Sequence, residues 1–112
     1  MNKFTLKEKK NYPWVLNDSI RYFNKLDETE KSSVIEGLKE IKTKFLNVLS
    51  HKDSQLEVTF FREQLTLATA ARKQYASEGP SASWVYAALT EALCILFVRK
   101  KYEDALSFLE EI

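Results

Sequence analysis

The segment Ser83–Lys100, SWVYAALTEALCILFVRK, decides the fold of this chain. On a helical wheel its apolar side chains occupy nearly the whole circumference, with Trp84, Ala88 and Ile95 on one face and further apolar residues on the next two. A helix that is apolar on all sides is buried. The segment therefore predicts either the central helix of a bundle or a helix that packs part of its surface against a second chain.

The residues before this segment predict a long helix that turns back on it. Gly79 and Pro80 form the strongest break in the chain, because glycine favours the end of a helix and proline prevents its continuation. Upstream, Ser54 and Glu57 have capping-box spacing, which predicts a helix from about Ser54 to Ala76. Its apolar residues form two stripes, and the double stripe predicts packing against two neighbours.

Two more helices are predicted closer to the N-terminus. Asp27, with Glu30 three residues later, is typical of a helix start, and a regular apolar stripe follows it. Pro13 suits the first position of a helix that ends near Leu26. Residues 1–12 are rich in lysine, and we expect a poorly ordered lead-in there.

The fold class that follows is all-α. We predict a single domain over residues 13–112, built as an antiparallel bundle of four main helices with a short fifth helix at the C-terminal end. The short helix is predicted from the spacing of Tyr102, Ala105 and Leu109. Two glycines and two prolines in 112 residues argue against a β-rich fold, which needs more of both for its turns.

Composition excludes several functional classes. A net charge of +1 gives no overall field for a polyanion. The lone Cys94 forms no internal disulfide, and no His or Cys spacing indicates a metal, so we predict neither metal nor cofactor. The N-terminus lacks the apolar core of a signal peptide, and the longest apolar run, Ala92–Val98, is shorter than a membrane span. A soluble, cytoplasmic protein is expected.

Glu91 is the side chain with the clearest chemical requirement. It shares a helical stripe with Trp84, and a carboxylate on an apolar face must be paired or neutral. We consider two interpretations. Glu91 forms an ion pair with Arg72 or Arg62 on the preceding helix. Alternatively, it lines a pocket with Trp84 and either Tyr75 or Tyr86 that takes a cationic or amphipathic ligand.

The leading functional hypothesis is a small protein-interaction module that forms a homodimer or binds another protein. Its predicted interface is the surplus apolar face of the central helix, formed by Trp84, Ala88, Ile95 and Val98, or else the aromatic faces of the helix before it. An antitoxin-like, immunity-like or accessory role, in a mobile gene pool among other settings, fits such a chain by analogy of fold alone. The alternative is a helical domain that binds a small molecule in the Trp84, Glu91, Tyr75 and Arg72 pocket.

Catalysis and nucleic-acid binding receive no support from motifs. The sequence contains no glycine-rich phosphate loop, no paired histidines and no nucleophile elbow, so we predict that the protein is not an enzyme. The basic stretches at residues 1–12 and Arg99–Lys101 are short, and nucleic acid is an unfavoured partner.

Overall fold

The computed structural model describes residues 5–112, and this part of the chain is all-helical. The predicted class and the count of four main helices plus a short fifth one are confirmed. The helices are α1 Trp14–Asn24, α2 Glu28–Ser50, α3 Ser54–Gln74, α4 Ala82–Val98 and α5 Tyr102–Glu110, with a short 3-10 turn at Ala76–Glu78.

Helix α4 is the centre of the bundle. It contacts α1, α2, α3 and α5, and most of its side chains are buried among them. The structure thus places Ser83–Lys100 at the centre of the bundle, which is the first of its two predicted positions. Its fully enclosed residues include Val85, Leu89, Leu93 and Leu96.

A cluster of phenylalanines closes the end of the bundle where α2 and α4 finish and α3 begins. The rings of Phe61 and Phe97 stack with centroids 4.4 Å apart, and Phe45 meets both edge-on. Phe60 adds a further edge contact to Phe45. These paired rings fix α2, α3 and α4 to one another, because aromatic pairs add stability beyond the area they bury.

The start of α2 follows the predicted cap, whereas the start of α3 does not. Asp27 and Glu30 form the expected capping box at the start of α2. At the start of α3, however, Asp53 is the cap rather than Ser54, since the Asp53 carboxylate accepts the backbone N–H groups of Gln55 and Leu56. A carboxylate reaches these free donors as well as a hydroxyl does, and the sequence pattern did not distinguish the two.

The described part of the lead-in, residues 5–12, packs against the bundle, which differs from the poor order that we expected. Leu6 and Tyr12 are buried, with exposed fractions of 3% and 4%. The side-chain amide of Asn24 accepts the N–H of Leu6 and donates to its carbonyl, and Asn17 does the same for Lys9. The two asparagine side chains thus satisfy backbone N–H and C=O groups that a neighbouring strand or a helical turn would otherwise pair. Residues 1–4 of the predicted lead-in lie outside the described residues.

Helix α3 lies on the outside of the bundle, and its two predicted neighbours, α4 and α2, cover it unequally. It packs mainly on α4, and its smaller contact with α2 includes the Phe45–Phe60 ring pair. Consequently Leu67, on the second apolar stripe, is 64% exposed. Helical periodicity identified the stripe but not the element that covers it.

None of the helices in residues 5–112 combines the length and the apolar character needed to cross a membrane.

Candidate functional site

Arg72 of α3 and Glu91 of α4 form an ion pair across the helix interface. Arg72 Nε lies 2.6 Å from Glu91 Oε1, and Arg72 Nη2 lies 3.3 Å from Oε2. The hydroxyl of Thr69 donates to the same Oε2 at 2.7 Å. Both carboxylate oxygens therefore accept hydrogen bonds from α3, and the Glu91 side chain is only 17% exposed. The structure selects Arg72 rather than Arg62 as the partner of Glu91.

This ion pair forms one wall of a groove between α1 and α3 that runs over α4. We call it the aromatic groove; its volume is about 360 Å³, and its lining residues are Trp14, Val15, Asp18, Ser19, Tyr22, Arg72, Trp84, Ala88 and Glu91. The rings of Tyr22 and Trp84 meet edge-on, with centroids 5.2 Å apart. The groove combines aromatic surface with hydrogen-bonding groups of both charges, a combination that suits contact with another protein or an amphipathic molecule.

The structure brings together three of the four predicted ligand-site residues. Arg72, Trp84 and Glu91 line the aromatic groove, whereas Tyr75 lines a different cavity on the other side of α4. The sequence placed Tyr75 with Arg72 because the two share a stripe on a helical wheel, but α3 ends at Gln74 and Tyr75 lies just beyond the helix.

The four predicted interface residues are distributed over several surroundings. Trp84 and Ala88 line the aromatic groove, although Ala88 itself is only 4% exposed. Ile95 is partly exposed, and Val98 lines a separate cleft beside α3. The surplus face of α4 is therefore largely covered within the chain, and it leaves no continuous apolar surface of its own.

Sequence reasoning missed the two α1 residues that make the groove aromatic. Trp14 is 73% exposed at the mouth of the groove, and Tyr22 is 37% exposed beside Trp84. Both stand off the Leu16, Ile20 and Phe23 stripe that faces the core. An aromatic residue on the polar side of an amphipathic helix was the available signal.

A second depression, the Tyr86 trough, lies on the opposite flank of α4, between α2 and α3. Two adjoining cavities of about 320 and 230 Å³ share Ser83 and Tyr86 as lining residues. The Tyr86 ring lies against the backbone of Gly37 so closely that a β-carbon there would be 2.6 Å from the ring. Burial, reinforced by the negative charge of Glu40, raises the pKa of the Tyr86 phenol.

The remaining reactive groups belong to the core. Cys94 is completely buried, and burial raises the pKa of its thiol to about 12, with a smaller contribution from the charge of Glu91. Among residues 5–112, no three His, Cys, Asp or Glu side chains are grouped to hold a metal ion.

Comparisons with known proteins find no matching family model, no similar curated protein and no similar solved structure. By its own geometry the protein is an α-helical bundle with a central apolar helix and an exposed aromatic groove, and the Arg72–Glu91 ion pair forms one wall of this groove.

Proposed function

We propose that this protein is a small, non-catalytic interaction module that self-associates through the aromatic groove. In this proposal it acts in the cytoplasm as an antitoxin-like, immunity-like or accessory protein. The observation that carries the proposal is the 73% exposure of Trp14 beside a groove lined by Tyr22, Trp84 and Arg72. Tryptophan, tyrosine and arginine are the residues most enriched at the energetic centres of protein interfaces.

The arrangement of ridge and groove on one face supports a second copy as the partner. In a two-fold dimer the same patch serves both subunits, so a protruding side chain beside a groove can enter the groove of the partner. Trp14 is such a side chain, and a groove of about 360 Å³ has room for an indole ring. The surrounding surface carries both signs of charge, including Asp18 and Arg21, so two copies meet without net repulsion.

The test is the mass of the native protein as a function of concentration. We expect a dimer for the unmodified chain and a monomer for Trp14→Ala, because this substitution removes the ring that fills the partner groove while leaving the core intact. Leu67→Ala is the matched control, since Leu67 is 64% exposed on the other side of the bundle. A chain that stays monomeric at every concentration, or equal loss of the dimer in both variants, contradicts the proposal.

A small amphipathic ligand is the second candidate for the aromatic groove. Its volume of about 360 Å³ lies in the range of small-molecule sites. The hydrogen bonds from Arg72 and Thr69 occupy both Glu91 oxygens, so the geometry favours a neutral or amphipathic molecule over a simple cation. Native mass spectrometry of freshly purified protein separates the two candidates, because a retained ligand adds mass to the subunit and Trp14→Ala would reduce that retention.

A further inference from the structure

A cleft of about 280 Å³ lies at the end of the bundle, between the first half of α3 and the turn that joins α4 to α5. The stacked rings of Phe61 and Phe97 lie beneath it and are almost completely buried, with 1% and 3% exposure. Val58, which is 42% exposed, and the side chains of Arg62 and Lys100 line it. We call this site the basic cleft. It lies apart from the aromatic groove and shares no lining residue with it.

Basic side chains dominate this end of the molecule. The five exposed cations in and next to the cleft are Lys52, Arg62, Arg99, Lys100 and Lys101. Within residues 5–112 none of them forms an ion pair. Three carboxylates lie near these cations: Asp53, which caps α3, Glu57, which accepts a hydrogen bond from the Tyr102 hydroxyl at 3.1 Å, and Glu103 at the start of α5. They keep their negative charge and offset part of the positive charge of the five cations. This end of the molecule therefore retains an excess of positive charge.

Two of these lysines have the left-handed backbone conformation, which is unfavourable for any residue with a β-carbon. Lys52 and Lys100 have φ angles of 53° and 60°, and each follows the last turn of a helix. At the end of α4 the N–H groups of Lys101 and Lys100 donate to the carbonyls of Leu96 and Phe97, which is the Schellman pattern. Glycine is the favoured residue at this left-handed position, because a β-carbon is strained there. What a lysine adds over glycine is its positive charge.

We propose that the basic cleft binds an acidic peptide segment of a partner protein, with an apolar side chain against Val58 and carboxylates at Arg62 and Lys100. Charge complementarity identifies the occupant as anionic. The exposed apolar surface of Val58, which lines the cleft together with Arg62 and Lys100, favours a peptide with apolar side chains over a nucleic-acid backbone. This proposal concerns a second site and stands whether or not the aromatic groove mediates self-association.

The test uses a fluorescein-labelled synthetic peptide of repeating Glu-Leu-Glu units and measures its fluorescence anisotropy with the full chain at low and physiological salt. We expect binding that weakens as salt is raised, and at least about a tenfold loss of affinity in Arg62→Gln/Lys100→Gln, since two charge-assisted contacts disappear. The control variant Lys39→Gln/Lys73→Gln removes the same charge from exposed positions elsewhere and is expected to bind normally.

Lys100→Gly separates binding from folding. Glycine relieves the strain at this position, so we expect a melting temperature that rises by a few degrees together with weaker peptide binding. The proposal is overturned by a peptide that does not bind the unmodified chain at low salt, by undiminished binding in Arg62→Gln/Lys100→Gln or Lys100→Gly, or by equal loss in the control. Tighter binding of an oligothymidylate or of phosphatidylserine vesicles, sensitive to the same variants, would overturn it in favour of that partner.

Discussion

Individual side chains in this molecule are restrained most strongly where α3 meets α4. Glu91 accepts hydrogen bonds from Arg72 and Thr69 at a largely enclosed position, so removing its charge leaves the arginine without a partner. The carboxylate on an apolar stripe indicated from the sequence that a partner was needed. Which of two arginines supplies it could not be predicted, because the choice depends on the register between two helices.

Glu91→Gln is expected to lower the free energy of unfolding by about 1–3 kcal/mol, because a charge-assisted hydrogen-bonded pair is lost at a partly buried site. Urea unfolding followed by circular dichroism measures this change. Asp18→Asn is the control, since it breaks the exposed Arg21–Asp18 pair, which is screened by solvent and is expected to contribute little to stability. Equal effects of the two substitutions would show that the Arg72–Glu91 pair contributes no more than a surface contact.

Cys94 makes the stability of the bundle depend on pH in the alkaline range. Burial raises the pKa of its thiol to about 12 in the folded chain, against an ordinary value of 9.0. Between these values the unfolded chain has lost the thiol proton while the folded chain retains it, so the unfolded state binds fewer protons and stability falls as pH rises. The thiol contributes a loss of up to about 1.4 kcal/mol for each pH unit across this window and none below it.

Cys94→Ala isolates this contribution from the titration of tyrosines and lysines in the same range. We expect the free energy of unfolding to fall less steeply between pH 9.0 and pH 12 in Cys94→Ala than in the unmodified chain. Chemical denaturation at several pH values gives both curves. Parallel curves would mean that the thiol is ionised as easily in the folded state as in the unfolded one.

At the scale of helices, boundaries and caps followed from local chemistry. The Asp27 and Glu30 capping box was readable because both partners lie within four residues. Helix α4 was readable as a buried helix because its apolar residues cover the whole wheel. The sequence did not show which element would bury the second apolar stripe of α3. Leu67 on this stripe is exposed to solvent, because its burial depends on where α2 lies.

The start of α3 offers a test of which residue caps it. Asp53→Ala is expected to lower the free energy of unfolding by about 1 kcal/mol, because two backbone N–H groups of α3 lose their acceptor. Ser54→Ala is expected to change it by a few tenths of a kcal/mol at most, since alanine is favoured inside a helix. Thermal unfolding of the two variants ranks them, and a larger loss in Ser54→Ala would restore the serine as the cap.

Over the whole molecule, the fold class followed from composition and periodicity, whereas the binding surfaces depend on contacts between distant segments. The aromatic groove combines α1, α3 and α4, and the packing of Leu6 joins the N-terminal segment to the bundle. Lysines on both sides of Leu6 suggested a solvated tail. The residues around Leu6 gave no indication that the distant Asn24 amide would hydrogen-bond its backbone.

Leu6→Ala tests whether this segment belongs to the cooperative fold. Truncation of a side chain that is 3% exposed is expected to cost about 2 kcal/mol or more, a sizeable part of the 5–15 kcal/mol typical of a small domain. Differential scanning calorimetry measures the loss. Leu67→Ala, at 64% exposure, is expected to change stability by about 0.5 kcal/mol or less, and an equally small change in Leu6→Ala would mark residues 5–12 as energetically separate from the bundle.

Gly37 determines where the Tyr86 ring lies on the surface beside α2. Because no side chain stands there, the Tyr86 ring can rest on α2 and act as a partition between two neighbouring cavities. Any residue larger than glycine at position 37 would push the Tyr86 ring away from this position. The shape of the surface on this flank of the molecule therefore depends on a side chain that is absent.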